Sequence, residues 1–238
     1  MPQELPLQRT QVTAAQMFDA LHAAWTHYFN GEPRKENLCV LVAHWAFETG
    51  LGKSMWNFNI GNVKSREGDG YDCMFLACTE NMSVDMAKSL VAKLGDKASI
   101  QSVRGAVATV KFFPPHPACR FRAFTSLELG AADYLRLLVE RFSDVNLEKN
   151  AWHWVSQGEP QEFCHALKLK GYYTGDESIY TKQVVAIFHS LMSQQPFSIP
   201  EPEIDPNQMS DGGLVALQTG FAQSLKDQEE PPPPEGEA

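Results

Sequence analysis

The sequence predicts an α+β fold that is mainly helical and carries one small β lobe. Two observations predict it. Apolar residues recur at helical spacing before and after a central stretch, and residues 71–78 form a short run of aromatic and apolar residues bounded by Gly68, Asp69 and Gly70, which is typical of a strand. We place the lobe at about residues 70–113. The 238 residues, of which 43% are hydrophobic, suffice for one domain with a substantial core.

The first helix is predicted to begin after Thr13, because Gln16 follows at the spacing of a capping box. Thr125 and Glu128 repeat this spacing before a later helix, which gives Glu128 a structural explanation. A further short helix, ended by Gly95, is predicted inside the β lobe from the apolar spacing of Met86, Leu90, Val91 and Leu94.

The second helix is predicted over residues 35–49, with Gly50 as its left-handed C-terminal cap. Glu48 ends this helix on the face of Leu41 and Trp45, so its side chain is expected to point inward. The negative end of the helix dipole and the apolar neighbours both favour an uncharged carboxyl, as a general acid requires. Glu48 is therefore the candidate catalytic residue, although the spacing alone fits an ordinary, partly solvated glutamate equally well.

The segment after Glu48 is rich in residues that suit a sugar ligand. Gly50, Gly52 and Gly61 allow the backbone to turn tightly or to approach a ligand. Amides and flat rings that match sugar hydroxyls, acetamido groups and pyranose faces come from Asn57, Asn59, Asn62, Trp56, Phe58 and Tyr71. Each of these residues alone is explained as a turn former or a core residue, and only their crowding near Glu48 favours a binding site.

Three blocks of sequence occur in a characteristic order. The first is Glu-Thr-Gly-Leu-Gly-Lys-Ser at 48–54 with an Asn-x-x-x-Val-Lys segment at 59–64. The second is Phe-Arg-Ala-Phe-Thr-Ser-Leu-Glu at 121–128 with Asp-Tyr at 133–134. The third is Ala-Leu at 166–167 with Gly-Tyr-Tyr-Thr at 171–174 and Tyr180. Together these blocks resemble the bacterial glucosaminidase domain family, which is glycoside hydrolase family 73 and includes flagellar peptidoglycan hydrolases.

This resemblance spans residues 13–193 and implies a lysozyme-like fold, mainly helical with a small β-hairpin lobe. It implies that Glu48 is the general acid. Thr79-Glu80 matches the pair that carries the family's second acidic residue, so Glu80 is predicted to activate water or to stabilise positive charge at the anomeric carbon. Other acids close to that position are Glu67, Asp69 and Asp72.

The resemblance also implies a functional tyrosine at Tyr172, whose phenol would hydrogen-bond the reacting sugar. The chain reads Gly-Tyr-Tyr-Thr-Gly-Asp-Glu where the family has Gly-Tyr-Ala-Thr-Asp-Pro, so Tyr172, Tyr173 and Tyr180 all remain candidates for facing the substrate. The predicted substrate-binding residues are Trp56, Asn59, Asn62, Lys64, Tyr71, Tyr173 and Tyr180.

The net charge of −9 comes mostly from residues 195–238, which hold nine acidic residues and one lysine. Residues 1–194 are nearly neutral, so nothing indicates nucleic-acid binding. We expect a catalytic domain at 1–194 and a mostly disordered, acidic, Pro-rich tail at 195–238. The tail is the segment that we would assign to a secretion or virion partner.

The five cysteines are odd in number and scattered, and they are expected to be small buried residues of a chain made in a reducing compartment. No His-Glu-x-x-His motif occurs, so no metal and no cofactor are expected. The chain has no apolar run that would span a membrane, and its start has no features of a secretory signal. We therefore expect synthesis in the cytoplasm and delivery to the cell wall, in the periplasm or outside, by a non-classical or phage-type route.

The sequence thus predicts a peptidoglycan hydrolase that cleaves β-1,4 glycosidic bonds in glycan strands, as an endo-β-N-acetylglucosaminidase with Glu48 as general acid. A muramidase or a lytic transglycosylase is the close alternative, because the same scaffold and a single glutamate serve those reactions. A non-catalytic peptidoglycan-binding or structural component is the alternative from a different class.

Overall fold

The computed structural model describes residues 2–173 and 175–193, and the predicted tail at 195–238 lies outside them. Within these residues the chain forms seven α-helices and five short strands, which confirms the α+β class. The helices are α1 (Ala14–Phe29), α2 (Lys35–Thr49), α3 (Val84–Leu94), α4 (Leu127–Arg141), α5 (Ala151–Gln157), α6 (Pro160–Leu169) and α7 (Glu177–Ser193). The strands are β1 (Cys73–Phe75), β2 (Cys78–Ser83), β3 (Ala98–Arg104), β4 (Val107–Phe112) and β5 (Arg120–Arg122).

Helix α2 is the centre of the helical part. Nearly all of its side chains from Asn37 to Thr49 are buried, because α1, α5 and α7 pack around it. A helix that is apolar on all sides must be enclosed in this way to keep its side chains from water. Its last turn, which carries Glu48, is therefore held inside the core.

The predicted ends of α1 and α2 are confirmed. Thr13 caps α1 and exchanges hydrogen bonds with Gln16 in a capping box, and Gly50 ends α2 with a φ of 56°. The expected start of α4 is wrong by one residue. Ser126, not Thr125, is its N-cap, since the Ser126 hydroxyl accepts a hydrogen bond from the backbone N–H of Leu129.

The β lobe consists of two small antiparallel sheets. β1 pairs with β5, while β4 lies between β2 and β3. The predicted single strand over 71–78 is instead divided between β1 and the start of β2, and β5 extends the lobe beyond residue 113. The predicted extra helix is confirmed as α3, which packs on β3 and buries Ala87.

A loop over residues 55–65 joins the helical part to the β lobe. Its backbone is bonded to the segment around β5 through Asn57 O, Val63 O and the N–H of Ser65. It also lies against α4, where a Cβ at Gly130 would be 2.1 Å from Phe58 O. Only a glycine allows this close approach, so the loop is held closely against α4.

None of the helices among the described residues is long and apolar enough to cross a membrane.

Candidate active site

Glu48 lies in the last turn of α2, and its side chain is fully buried. The Tyr180 hydroxyl, from α7, donates a hydrogen bond of 2.6 Å to Glu48 Oε1. His44 Nε2, one helical turn earlier on α2, lies 3.5 Å from the same oxygen. Glu48 Oε2 is buried and has no hydrogen-bond partner among the residues that the structure describes. Oε1 is therefore held by Tyr180, whereas Oε2 and the neighbouring His44 Nε2 have no hydrogen-bond partner among the described residues.

Three tyrosines gather around this carboxyl. The ring of Tyr173 stacks on that of Tyr180 with centroids 3.8 Å apart, and its hydroxyl donates to Cys164 O at 3.1 Å. The Tyr172 hydroxyl donates to Gly61 O at 3.3 Å, which links the Gly-Tyr segment to the 55–65 loop. Burial, and then the nearby Glu48 carboxyl, raises the pKa of Tyr172 and Tyr180 well above the usual value.

The three tyrosines differ in how they contact the Glu48 carboxyl and in how exposed they are. Tyr180 contacts the carboxyl directly, Tyr173 supports Tyr180, and Tyr172 is the most exposed of the three at 8%. The high pKa of Tyr180 keeps its phenol protonated, so it remains a hydrogen-bond donor to Glu48 at neutral pH.

The asparagines of the loop have different surroundings. The buried Asn59 side chain donates to Val63 O and Arg122 O and accepts from the N–H of Val63, so its amide holds the loop closed. The Asn57 side chain binds the backbone of the N-terminal segment at Gln8 and Pro6. Asn62 is half-buried, and its side-chain amide makes no hydrogen bond within the described part of the chain. Of the three amides, that of Asn62 is available to a ligand.

Glu80 lies in a second cluster, in the β lobe. Its carboxyl on β2 is 3.5 Å from Lys64 Nζ, and neither of its oxygens has a hydrogen-bond partner among the described residues. Burial raises the pKa of Glu80 to about 8, an effect that Lys64 only partly opposes. At neutral pH most of this carboxyl is therefore protonated, and the contact with Lys64 is not an ion pair for most of the molecules.

Two thiols complete this second cluster. Lys64 Nζ also lies 3.3 Å from Cys78 Sγ, and it donates to Ala118 O. A hydrogen bond from Cys119 lowers the pKa of Cys78 to about 7, and Lys64 acts in the same direction. Lys64 is thus shared between a thiol and a carboxyl. No contact among the described residues joins this cluster to Glu48, so the two predicted acids are in separate surroundings.

The predicted stacking residues already have cationic neighbours. The guanidinium of Arg122 lies 3.8 Å from the centroid of the Tyr71 ring, and that of Arg136 lies 5.2 Å from it. The Arg9 guanidinium lies 5.2 Å from the ring centroid of Trp56. Both rings are half-buried. A sugar that stacked on either ring would compete with these arginines.

The other acids near Glu80 are engaged with the backbone. Asp69 accepts hydrogen bonds from the N–H groups of Arg66 and Tyr71, and Asp72 accepts one from the N–H of Gln3. Glu67 is exposed.

Sequence reasoning missed two residues of the Glu48 cluster. The Tyr134 hydroxyl of α4 is hydrogen-bonded to His44 Nδ1, and both side chains are buried. The spacing of four residues between His44 and Glu48 on one helix was a signal for the first of them. Tyr134 belongs to the Asp-Tyr pair of the second sequence block, but nothing local indicated its contact with His44, which lies 90 residues earlier on a different helix.

The described residues contain no group of three or more histidine, cysteine, aspartate or glutamate side chains arranged to hold a metal ion. All five cysteines are free and buried, which confirms the expected burial.

No family model matches the chain, and no curated protein matches its sequence. The structure is similar to that of a C-terminally truncated glycoside hydrolase domain from Salmonella typhimurium FlgJ, with 15% identity, a TM-score of 0.44, and coverage of 76% of this chain and 96% of that one. It is also similar to a peptidoglycan hydrolase mutant from Sphingomonas sp. A1, with 18% identity, a TM-score of 0.40, and coverage of 76% of this chain and 88% of the other.

Proposed function

We propose that this protein cleaves β-1,4 glycosidic bonds of peptidoglycan, as an endo-β-N-acetylglucosaminidase that acts on the cell wall with Glu48 as its general acid. The observation that carries the proposal is the state of the Glu48 carboxyl, which is buried, held at Oε1 by Tyr180 and bare at Oε2. Buried polar atoms are rarely left without a partner unless a ligand or a chemical step uses them.

This arrangement suits proton donation to a leaving oxygen. The Tyr180 hydroxyl orients the carboxyl, and the free oxygen can hold a proton and present it to the glycosidic oxygen. The geometry alone does not identify the substrate. The sequence blocks around Glu48 and Tyr172 resemble the glucosaminidase family, and this resemblance indicates peptidoglycan as the substrate class.

The positive charge that develops at the anomeric carbon needs a second group. Glu80 suits this role poorly at neutral pH, because its pKa of about 8 leaves the carboxyl mostly uncharged and its neighbours are Lys64 and Cys78. We therefore favour participation of the substrate's own acetamido group, for which the protein needs one acid rather than two.

Substrate reaches Glu48 only if a covering side chain moves, since the carboxyl is fully enclosed. Tyr172 is the most exposed tyrosine of the cluster, and its hydroxyl makes a long hydrogen bond of 3.3 Å to Gly61 O. We infer that the glycan opens the site by displacing the Tyr172 side chain.

The second candidate is a peptidoglycan-binding component in which Glu48 is not catalytic. It is favoured by the complete burial of the Glu48 side chain, which keeps the carboxyl away from a ligand at the surface. A muramidase or a lytic transglycosylase would use the same acid as the proposed enzyme, so only the products separate these activities.

The test is to incubate the purified protein and its Glu48→Gln variant with isolated peptidoglycan, reduce the fragments with borohydride, and identify the new ends by mass spectrometry. Glu36→Gln, in the first turn of the same helix, is the matched control. We expect Glu48-dependent release of fragments that end in reduced N-acetylglucosamine, with a loss in Glu48→Gln of about a thousandfold or more, and full activity in Glu36→Gln.

Reduced muramic or anhydro-muramic ends would move the assignment to a muramidase or a transglycosylase. If no fragments are released while both proteins bind the glycan equally, the binding-component candidate replaces the enzyme.

A further inference from the structure

His44 and Tyr134 form a buried pair behind Glu48. His44 is one turn before Glu48 on α2, and Tyr134 comes from α4. Both side chains are within the core, and the Tyr134 hydroxyl is hydrogen-bonded to His44 Nδ1. The remaining ring nitrogen, Nε2, lies 3.5 Å from Glu48 Oε1. The rings of Phe163 and Tyr172 enclose the imidazole, with centroids 5.2 and 5.1 Å away.

The Tyr134 hydroxyl sets the tautomer of His44. A buried O–H group without an acceptor is energetically unfavourable, so the Tyr134 proton is directed at an acceptor. The acceptor in contact with it is His44 Nδ1. That nitrogen must then offer its lone pair, which places the ring proton on Nε2.

This tautomer directs an N–H group at Glu48. The Tyr180 hydroxyl of α7 donates a formed hydrogen bond to Oε1, while His44 Nε2 lies 3.5 Å from the same oxygen and is itself buried without a formed hydrogen bond. With its proton on Nε2, the nearest acceptor for this N–H group is Oε1, which makes Oε1 the accepting oxygen of the carboxyl. A proton carried by Glu48 itself therefore belongs on Oε2, which is the oxygen without a partner among the described residues.

We propose that Tyr134 and His44 are positioning residues that fix Glu48 Oε1 as the acceptor, so that Oε2 is the oxygen that delivers the proton. This inference rests on the proposed function, in which Glu48 is the general acid. The 3.5 Å separation from His44 to Glu48 is longer than an ordinary hydrogen bond, and contacts of this kind shorten when substrate binds.

The first test does not depend on activity. Nitrogen NMR of protein labelled at histidine assigns the tautomer of each ring. We expect the Nε2–H tautomer for His44 in the unaltered protein, and a mixture of tautomers in Tyr134→Phe, which keeps the ring but removes the hydroxyl. A proton on Nδ1 in the unaltered protein would overturn the proposal.

The second test uses two substitutions of His44 that differ in the contact they keep. His44→Gln places an amide N–H near the position of Nε2, whereas His44→Asn places its amide near Nδ1 and leaves Glu48 without this donor. We expect kcat to fall about tenfold or more in His44→Asn, with KM unchanged, and to be largely retained in His44→Gln.

The third measurement asks whether Tyr134 acts through His44. Tyr134→Phe alone should lower kcat, and the double variant His44→Asn with Tyr134→Phe should be no slower than His44→Asn alone. Tyr28→Phe, an exposed tyrosine of α1, is the matched control and should leave kcat unchanged. Additive losses, or equal losses in His44→Asn and His44→Gln, would indicate a purely structural role and overturn the proposal.

Failure of the proposed function gives a different result. In that case the unaltered protein shows no Glu48-dependent turnover, which rejects the catalytic role of the pair, while the NMR experiment still reports whether the tautomer is the one inferred.

Discussion

The Tyr180 hydroxyl donates a 2.6 Å hydrogen bond to Glu48 Oε1, from a residue 132 positions further along the chain. This bond joins α7 to α2 at the centre of the helical core. It is also the shortest contact that the Glu48 carboxyl makes with the described residues. The relation between these two residues therefore links the stability of the core to the orientation of the candidate acid.

Removal of this hydroxyl should affect both properties. We expect Tyr180→Phe to lower the free energy of unfolding by about 1–3 kcal/mol, because a buried carboxyl oxygen loses its donor. We also expect kcat to fall about tenfold with little change in KM, since the carboxyl loses an orienting contact. Thermal unfolding and steady-state kinetics on peptidoglycan measure the two effects.

Tyr28→Phe is the control for this substitution, because Tyr28 is exposed on α1 and its ring contacts Phe29 rather than the side chains around Glu48. It should change neither property. A Tyr180→Phe protein with normal kcat would show that Glu48 needs no orientation by α7.

Glu80 should make the stability of the protein depend on pH. Its pKa is 4.5 in an unfolded chain and about 8 in the folded protein, where burial favours the protonated form. The stabilisation is complete below about pH 4.5 and is lost as the pH rises through 8. Glu80→Gln carries no such proton, so its free energy of unfolding relative to the unaltered protein should rise by about 1–3 kcal/mol between acid and alkaline pH.

Chemical denaturation of both proteins at about pH 5 and about pH 9 measures this difference. Glu128→Gln is the contrasting control, because hydrogen bonds from its own backbone N–H and from Ser126 lower the pKa of Glu128, which is fully exposed. The free energy of unfolding of Glu128→Gln, relative to the unaltered protein, should not rise between acid and alkaline pH. A constant difference between Glu80→Gln and the unaltered protein at both pH values contradicts a buried, protonated Glu80.

Gly130→Ala tests the contact between α4 and the 55–65 loop. In an exposed helix this change is stabilising, but here the new Cβ would lie 2.1 Å from Phe58 O, so the helix and the loop must separate. We expect a net loss of about 2–4 kcal/mol in the free energy of unfolding, measured by chemical denaturation.

The matched substitution is Gly31→Ala, where the atom nearest to the added Cβ is Phe29 O at 3.9 Å. It should change stability by less than about 0.5 kcal/mol. Equal stability of the two variants would mean that the loop is free to move away from α4.

The sequence was most informative where structure depends on neighbouring residues. The spacing of apolar residues and the position of Gly50 predicted the bounds of α2, and the Thr13 and Gln16 pair predicted the start of α1. Local rules act within a few residues, so they could also find α3 inside the lobe. They failed by one residue at α4, because Thr125 and Ser126 are adjacent and both good caps, and local rules do not choose between them.

Such local rules could not predict the contacts between segments that are distant in the sequence. Nothing near residue 180 indicated that its hydroxyl reaches Glu48, and nothing near Tyr71 indicated that the guanidiniums of Arg122 and Arg136 approach its ring. The pairing of β1 with β5 likewise joins segments almost fifty residues apart. The residue types of the site could be predicted, whereas the partner of each one depends on how the helices pack.

Helix α7 ends the described part of the chain, and it brings the last protein group to Glu48. During synthesis the acid on α2 is therefore made long before the hydroxyl that orients it. A product that stops before α7 would keep the glutamate, the glycine cap and the asparagine loop, yet it would leave the carboxyl exposed along the open side of α2. If Glu48 is the acid that we propose, its orienting hydroxyl is in place only after α7 has packed on α2.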